Sequence, residues 1–485
     1  MATAFPYDWR RSKHLTLQPP SHGGDVDQRN LPWILLDVRA YIADRRNSTT
    51  AYVDLSNGGC RIQITFCIAP PPLVSYICAW SPNTDPARIF AQEPDVGIVN
   101  DDLVFLRINC HDYDYDLVYQ AGCFPSLKLV HNPAKYLREL DNVALLPRRL
   151  SASADDDSGF YICALDRDSN SGLGHFQSCL YDSIDGTWRL ESLLLDELRN
   201  PPDKDTVLHY TEKVVILPPS LDDERVSVAF ADLWRGIIIC DDVLAGGKPA
   251  GSYVPLPLEI IDHDRAYFSL ACRDMVVVNG RLTVARMRVA FDSDTNCRSW
   301  DLSTWSKAAT CLDEEWHKDF KVDSNDISLD DGICNIDLLP KLNGLPAMAK
   351  LRVAHPTLSL TDAHVVYIMG KVNLSDEKAL VLTVDMANKR IREVSVYDAE
   401  RIINDFRYAY TRSTVSQYFT TAASGLKGNP KRHLKFHVQY PHKRQCKIIN
   451  RMDVAGLYEP LQLDAGSDME IIDENEDSDN PMDLE

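Results

Sequence analysis

From Pro32 onward the chain alternates short apolar runs with polar breaks. WILLDVRAYI, TAYVDL, RIQITFCIA and LVSYICAW come first. They are divided by Asn57-Gly58-Gly59 and by Pro70-Pro71-Pro72, where proline removes the donors a sheet ladder needs. DLVFLRI, DLVYQ and LKLV follow, and a Leu/Arg-rich piece over 134–150 reads as helical. After it come GFYICAL, HFQSCLY and TWRLESL, then the meander VSVAFADLWRGIIICDDVLAGGKPAGSYVPLPL. The last groups are AYFSLAC, MVVVNGRLTVARMRVAF, CRSWDLSTW, HPTLSL, HVVYIMGKV, ALVLTVDM and RIREVSVYD. Runs of this length, with turn signals at roughly 8–12-residue spacing, predict an all-β chain.

The groups resemble one another at a spacing of roughly 40–60 residues, as imperfect repeats of a blade do. GHFQSCLYDSIDGTWRLESL and ALVLTVDMANKRIREVSVYD both read as strand, polar turn, strand. One such meander cannot bury both of its faces, and stacking it on its neighbours does. The expected fold is a β-propeller-like domain of about six antiparallel blades over residues 31–398; a pair of β-sandwiches uses the same strands. Residues 1–30 are polar, with Pro and Gly, and read as a poorly ordered opening. Over 398–424 the period changes: Ile402, Ile403, Phe406, Tyr410, Val415, Tyr418 and Phe419 fit helical spacing, so 399–451 is expected to be a helical and basic appendage. Residues 452–485 read as a disordered acidic tail.

Charge sharpens that last boundary. The net charge is −20, yet 427–451 hold eight Lys/Arg and no acid, while 464–485 hold ten acids and no Lys or Arg. The basic segment reads as a solvated linker, with an intramolecular latch to the acidic tail as the next reading; it also fits a nuclear-import or nucleic-acid element, but the acidic whole and the nearby tail argue against nucleic acid. No apolar run reaches membrane-span length, and the opening residues have no signal-peptide core. Thirteen cysteines stand singly without a C-x-x-C, as reduced thiols of a cytoplasmic or nuclear protein do.

Within the meander, Asp232, Leu233, Trp234, Arg235, Gly236, Ile237, Ile239, Cys240 and Asp241, followed by Pro255-Leu256-Pro257, form the most distinctive stretch. This stretch resembles the signature of the grass-abundant plant family called domain of unknown function 1618. Trp33, Leu35, Leu36, Asp37, Ala40, Tyr41 and Ile42 are similar to that family's opening strand. His355, Pro356, Leu358, Ser359, Leu360, Tyr367, Met369, Gly370 and Lys371 are similar to a later strand pair, and Asp385, Met386 and Lys389 to the turn after it. The resemblance implies a binding propeller of the kind attached to plant F-box proteins and assigns no catalytic residue. The first 30 residues are too polar for a Leu-rich F-box helix, so a ubiquitin-ligase adaptor role does not follow. On their own chemistry, Asp232, Trp234, Arg235, Gly236, Cys240 and Asp241 read as structural: Gly for a tight connection, Trp as filling between blades, Asp and Arg as pairing or capping groups; the alternative is a recognition turn that exposes Trp234 and Arg235 as a binding hot spot.

Other constellations fall short. The acidic turns beginning at Asp112, Asp166 and Asp292 place Leu117, Ser171 and Cys297 where a calcium loop needs Gly. There is no H-E-x-x-H and no G-x-S-x-G, and Gly246-Gly247-Lys248-Pro249 lacks the rest of a phosphate loop. The sequence therefore implies no cofactor, no metal and no membrane partner. It points to a non-enzymatic propeller binding a protein partner; the alternative is a hydrolase or carbohydrate-active enzyme working in the propeller channel.

Overall fold

The computed structural model describes Leu15 and residues 17–419, leaving out 24–30, 56–58, 112, 133–135, 138–139, 149–158, 169–170, 203–207, 220–224, 248, 263–267, 293–296, 312, 330–332, 334, 343–344, 347, 403–405 and 407–408. The opening residues, the basic segment and the acidic tail of the sequence reading thus lie mostly or wholly outside the described residues.

Blade 1 begins with β1 (Ile34–Asp37), β2 (Tyr41–Ile42), β3 (Ala51–Asp54), β4 (Arg61–Cys67) and β5 (Val74–Trp80). Blade 2 is β6 (Asp95–Asn100), β7 (Leu103–Asn109), β8 (Asp114–Gln120) and β9 (Ser126–Val130). Blade 3 is β10 (Val143–Pro147), β11 (Phe160–Arg167), β12 (His175–Asp182) and β13 (Thr187–Leu194). Blade 4 is β14 (Lys213–Ile216), β15 (Val228–Asp232), β16 (Gly236–Asp241) and β17 (Ala250–Pro255). Blade 5 is β18 (Arg273–Val278), β19 (Arg281–Asp292), β20 (Cys297–Ala308) and β21 (His317–Asp323). A two-stranded hairpin, β22 (Lys341–Leu342) and β23 (Leu345–Pro346), precedes blade 6: β24 (Arg352–Leu358), β25 (Val365–Lys371), β26 (Lys378–Asp385) and β27 (Arg390–Asp398). The last strand, β28 (Tyr410–Ser413), returns to blade 1 and pairs antiparallel with β1, Ile34 opposite Ser413 and Asp37 opposite Tyr410. β1 in turn pairs parallel with β5. Blades 2 to 6 are up-and-down meanders, and blade 1 is stitched from both ends of the domain. The fold is a six-bladed β-propeller.

The apolar runs show little inside–outside alternation because most middle strands are covered on both faces. On β7, Val104, Leu106 and Ile108 join the core shared with blade 1, while Leu103 and Phe105 join the core shared with blade 3. On β16, Ile238 and Cys240 face blade 3, and Ile237 and Ile239 face blade 5. On β25, Val366 and Ile368 face blade 5, and Val365, Tyr367 and Met369 face blade 1. Each pair of neighbouring blades has its own apolar core. At the β18–β19 turn, Asn279 and Gly280 both adopt left-handed φ, 51° and 74°, which the Asn-Gly pair accepts at little cost.

Three expectations are corrected. The 134–150 segment holds a strand, β10, because Val143–Leu146 are needed as the buried inner strand of blade 3. Among its described residues the AYFSLAC run holds a 3-10 turn, Ser269–Ala271, leading into β18. In the 398–424 segment, the described residues form 3-10 turns at Glu400–Ile402 and Val415–Tyr418 flanking β28. Ile402, Phe406 and Tyr410 do share one core, and β28 is extended where it pairs with β1.

Candidate functional site

The hairpin between β15 and β16 carries the signature residues. Asp232 is fully buried at the end of β15. Its carboxylate accepts from the backbone N–H groups of Tyr210 and Trp234 and from Arg235 Nη1, each at 2.9 Å. The Trp234 ring lies under the Arg273 guanidinium of β18, 4.1 Å from the ring centroid. Arg273 also donates to the carbonyls of Leu233 and Ile260, which ties blade 4 to blade 5. Burial pushes Arg273 down to about 10. Gly236 is required by space, not by φ: a Cβ there would fall on the Tyr253 hydroxyl and 2.9 Å from the Val254 carbonyl oxygen. Cys240 is buried toward blade 3, and burial pushes its thiol up to about 12. Asp241, at the end of β16, pairs with Arg199 at 2.6 Å.

His209 lies behind this turn, buried, with its ring edge-on to Phe176 at 5.8 Å and Nε2 3.3 Å from Thr211 Oγ1. Burial brings its pKa from the usual 6.5 down to about 4; Asp232 opposes the shift and Arg235 adds to it. A lowered folded-state pKa means the unfolded chain binds the extra proton, so this contribution is present above pH 6.5 and is lost as pH falls toward 4. Asp37 acts in the opposite sense: burial raises it to about 6 despite Arg401, so its contribution is full below 3.8 and lost as pH rises through 6. The two are separated by substitution. In urea titrations, His209→Asn is expected to show a pH 7-to-5 stability loss smaller than the parent's by about 2 kcal/mol. An unchanged pH dependence would refute the assignment.

At the centre, β6, β14, β18, β24 and β28, with Leu140 and Asp141 just ahead of β10, line a cavity of about 580 Å³. It is braced by a buried ion pair between β28 and β18. Arg412 Nη1 lies 2.5 Å from Asp274 Oδ2, and Nη2 lies 2.6 Å from Oδ1. Arg412 also donates to the carbonyls of Leu358 and Met275, and the Leu358 N–H donates to Asp274 at 2.8 Å. Lys213 Nζ of blade 4 stands 3.8 Å from Asp274 Oδ1. One aspartate thus gathers groups from blades 1, 4 and 6. Where β24 passes the channel its register with β25 shifts between Ala354 and Thr357, and His355 there has φ 52°. Sequence reasoning missed Glu212, Lys213, Asp274 and Arg412. The available signal was a charged residue at the head of, or inside, a short apolar run.

A second feature is an arm on blade 5. β18 covers only Arg281–Arg286 of β19, and β21 covers only Asp301–Ser306 of β20. Beyond them the two strands continue as a ribbon to the pair Asp292–Cys297. On one face Val289 and Phe291 are 48% and 56% exposed, and the Arg298 guanidinium sits 4.9 Å from the Phe291 ring centroid. On the other, Arg288 pairs with Asp301 at 2.8 Å. The Met287 N–H donates to Cys272 on the β18 side, so by strand alternation the N–H and C=O groups of Val289 and Phe291 point out along that edge. Among the described residues no strand pairs with this edge beyond β18.

Residues 230–367, which span the signature hairpin, Asp274, the arm and His355, match the family model described as "Protein of unknown function (DUF1618)". Over this stretch the chain is similar to that family. The DUF1618 stretch runs from β15 to β25; the similar residues near Trp33 and Asp385 lie outside it. No curated protein matches the chain. Among solved structures, a Penicillium chrysogenum alpha-L-arabinanase complexed with arabinobiose is similar at 11% identity, over 76% of this chain and 99% of that one, with a TM-score of 0.23. The polysaccharide lyase Uly1 is similar at 11% identity, over 76% of this chain and 89% of that one, with a TM-score of 0.26. Likenesses this slight bear on neither activity nor ligand.

Proposed function

We propose that this propeller is a protein-binding module of the cytoplasm or nucleus, and that the blade 5 arm takes an extended acidic segment of its partner as an added strand. The observation that carries this reading is the open edge at Val289 and Phe291, flanked by exposed apolar side chains. A peptide adding to such an edge gains main-chain hydrogen bonds and sets its alternate side chains on one face. Charge favours an acidic occupant: among the described residues no carboxylate pairs with Arg298, whereas Arg288 is already matched by Asp301. The ten cysteines described are all free, which accords with a reducing compartment.

The test uses two fluorescent peptides, one alternating Val and Glu and one alternating Val and Lys, titrated into the full-length protein. The Glu peptide is expected to bind at least tenfold more tightly, and Arg298→Glu to reverse the preference. Val289→Pro removes an outward donor without breaking the β19–β20 ladder, and is expected to abolish binding. Equal affinity for both peptides, or binding untouched by Val289→Pro, overturns the reading. A concentration-dependent dimer lost in Val289→Pro would assign the edge to a second copy of the chain instead.

A further inference from the structure

Lys213 heads β14 and is the one lysine among the residues that line the central cavity. Its side chain is 20% exposed where it borders that space of about 580 Å³, so a small molecule inside can reach it. Among the described residues it makes one ion pair, 3.8 Å from Nζ to Asp274 Oδ1, which is longer than an ordinary hydrogen bond. Asp274 has a closer partner: its two oxygens accept from Arg412 Nη1 and Nη2 at 2.5 and 2.6 Å. The carboxylate is thus matched by Arg412, and Lys213 is held loosely.

Three charged groups act on this amine: Asp274 from β18, Arg412 from β28 and Asp141 from just ahead of β10. Burial lowers the ammonium from its usual 10.5, and Arg412 lowers it further, against the two aspartates. More of it is therefore free amine at neutral pH than for a lysine in water. A lysine desolvated in a cavity, next to another cation, is the kind that attacks carbonyl carbon.

The lining also selects among carbonyl compounds. Arg39 pairs with Asp95 at 3.0 Å, Arg107 with Asp116 at 2.7 Å, and Arg412 with Asp274. Arg273 donates to two backbone carbonyls and covers the Trp234 ring. With every guanidinium engaged, an entering carboxylate or phosphate would lose its hydration and gain little in return. Ile216, Leu270 and Val277, all half-buried, add apolar wall. The volume lies within the range of small-molecule pockets, roughly 300–1,000 Å³.

We propose that Lys213 is a carbonyl-capture site, its Nζ forming a Schiff base with a small uncharged aldehyde held in the channel. The amine lone pair forms the C–N bond while the C=O π pair moves to oxygen. One nitrogen proton transfers to that oxygen and gives the carbinolamine. The other nitrogen proton leaves with the hydroxyl as water, and the C=N bond remains. No oxidant, reductant or further reactant enters.

The test incubates the full-length protein at pH 7 with benzaldehyde or 4-carboxybenzaldehyde. Sodium cyanoborohydride is added to reduce any imine to a stable amine, and the adducts are located by peptide mass spectrometry. Lys378, 62% exposed on blade 6, is the reference within the same molecule. Benzaldehyde is expected to label Lys213 at least tenfold faster than Lys378. The Lys213:Lys378 ratio should fall at least tenfold with the carboxylated aldehyde. The rate at Lys213 should also reach half its maximum at a lower pH than the rate at Lys378. Labelling of Lys213 no faster than Lys378 overturns the proposal. A ratio unchanged or raised by the carboxylate overturns the uncharged class. Both readings come from the parent protein, so neither depends on a variant that folds. The blade 5 arm takes no part, and peptide binding there stands or falls separately.

Discussion

Arg412→Met is expected to destabilise the propeller by about 3–5 kcal/mol, the loss typical when one member of a buried ion pair is removed. Both partners are inside the protein, with side chains 7% and 5% exposed, so solvent does little to screen the orphaned charge. Arg412 also satisfies the carbonyls of Leu358 and Met275. The substitution therefore leaves Asp274 with the Leu358 N–H and the long Lys213 contact, and strips two backbone acceptors of their guanidinium donor. Urea unfolding at pH 7 reads the effect. The double variant Arg412→Met, Asp274→Asn should recover part of the loss, because the uncompensated charge goes with it. If the single variant unfolds like the parent, the pair does not brace the ring.

Trp234→Ala should cost about 3–5 kcal/mol, as expected when a large buried aromatic is truncated. The ring is 8% exposed and lies beneath Arg273, so its loss also strips the guanidinium of its stacking surface. Thermal melting of the purified variant distinguishes the two possible roles of the signature. A large drop in melting temperature places Trp234 in the packing between blades 4 and 5. A parent-like melt combined with lost binding of the acidic peptide would make Trp234 a recognition residue.

The propeller was legible in the sequence because its middle strands are long and apolar: DLVFLRI, GFYICAL and HVVYIMGKV each coincide with a strand buried on both faces. The inner strands were harder to see. β6 is DVGIVN, β10 is VALLP and β14 is KVVI; each is short and presents one edge to the channel, so neither length nor alternation marks it. β28 was read as helix because Ile402, Phe406 and Tyr410 repeat at helical spacing, while its partner β1 stands at the other end of the domain. Within the signature, Asp232 and Arg235 were expected to pair or cap, and they pair with each other in the β15–β16 turn. The channel was missed for a different reason. Asp274, Arg412, Lys213 and Glu212 come from three distant segments, and only the ring brings them to one place.

The seam made by β1 and β28 has a consequence for how the chain is made. On the ribosome, β1 emerges at the start of the domain and its antiparallel neighbour at the very end. Until then the nascent ring is an open arc of blades, with one raw edge on β1 and the last blade lacking a flank. Such long-range pairing is slow to form and leaves intermediates prone to aggregate. Asp274 is already in place by then, and the arginine that neutralises it arrives on the closing strand. Truncation shortly before residue 410 should thus release an arc that needs chaperone protection, whereas a few residues more permit self-sealing.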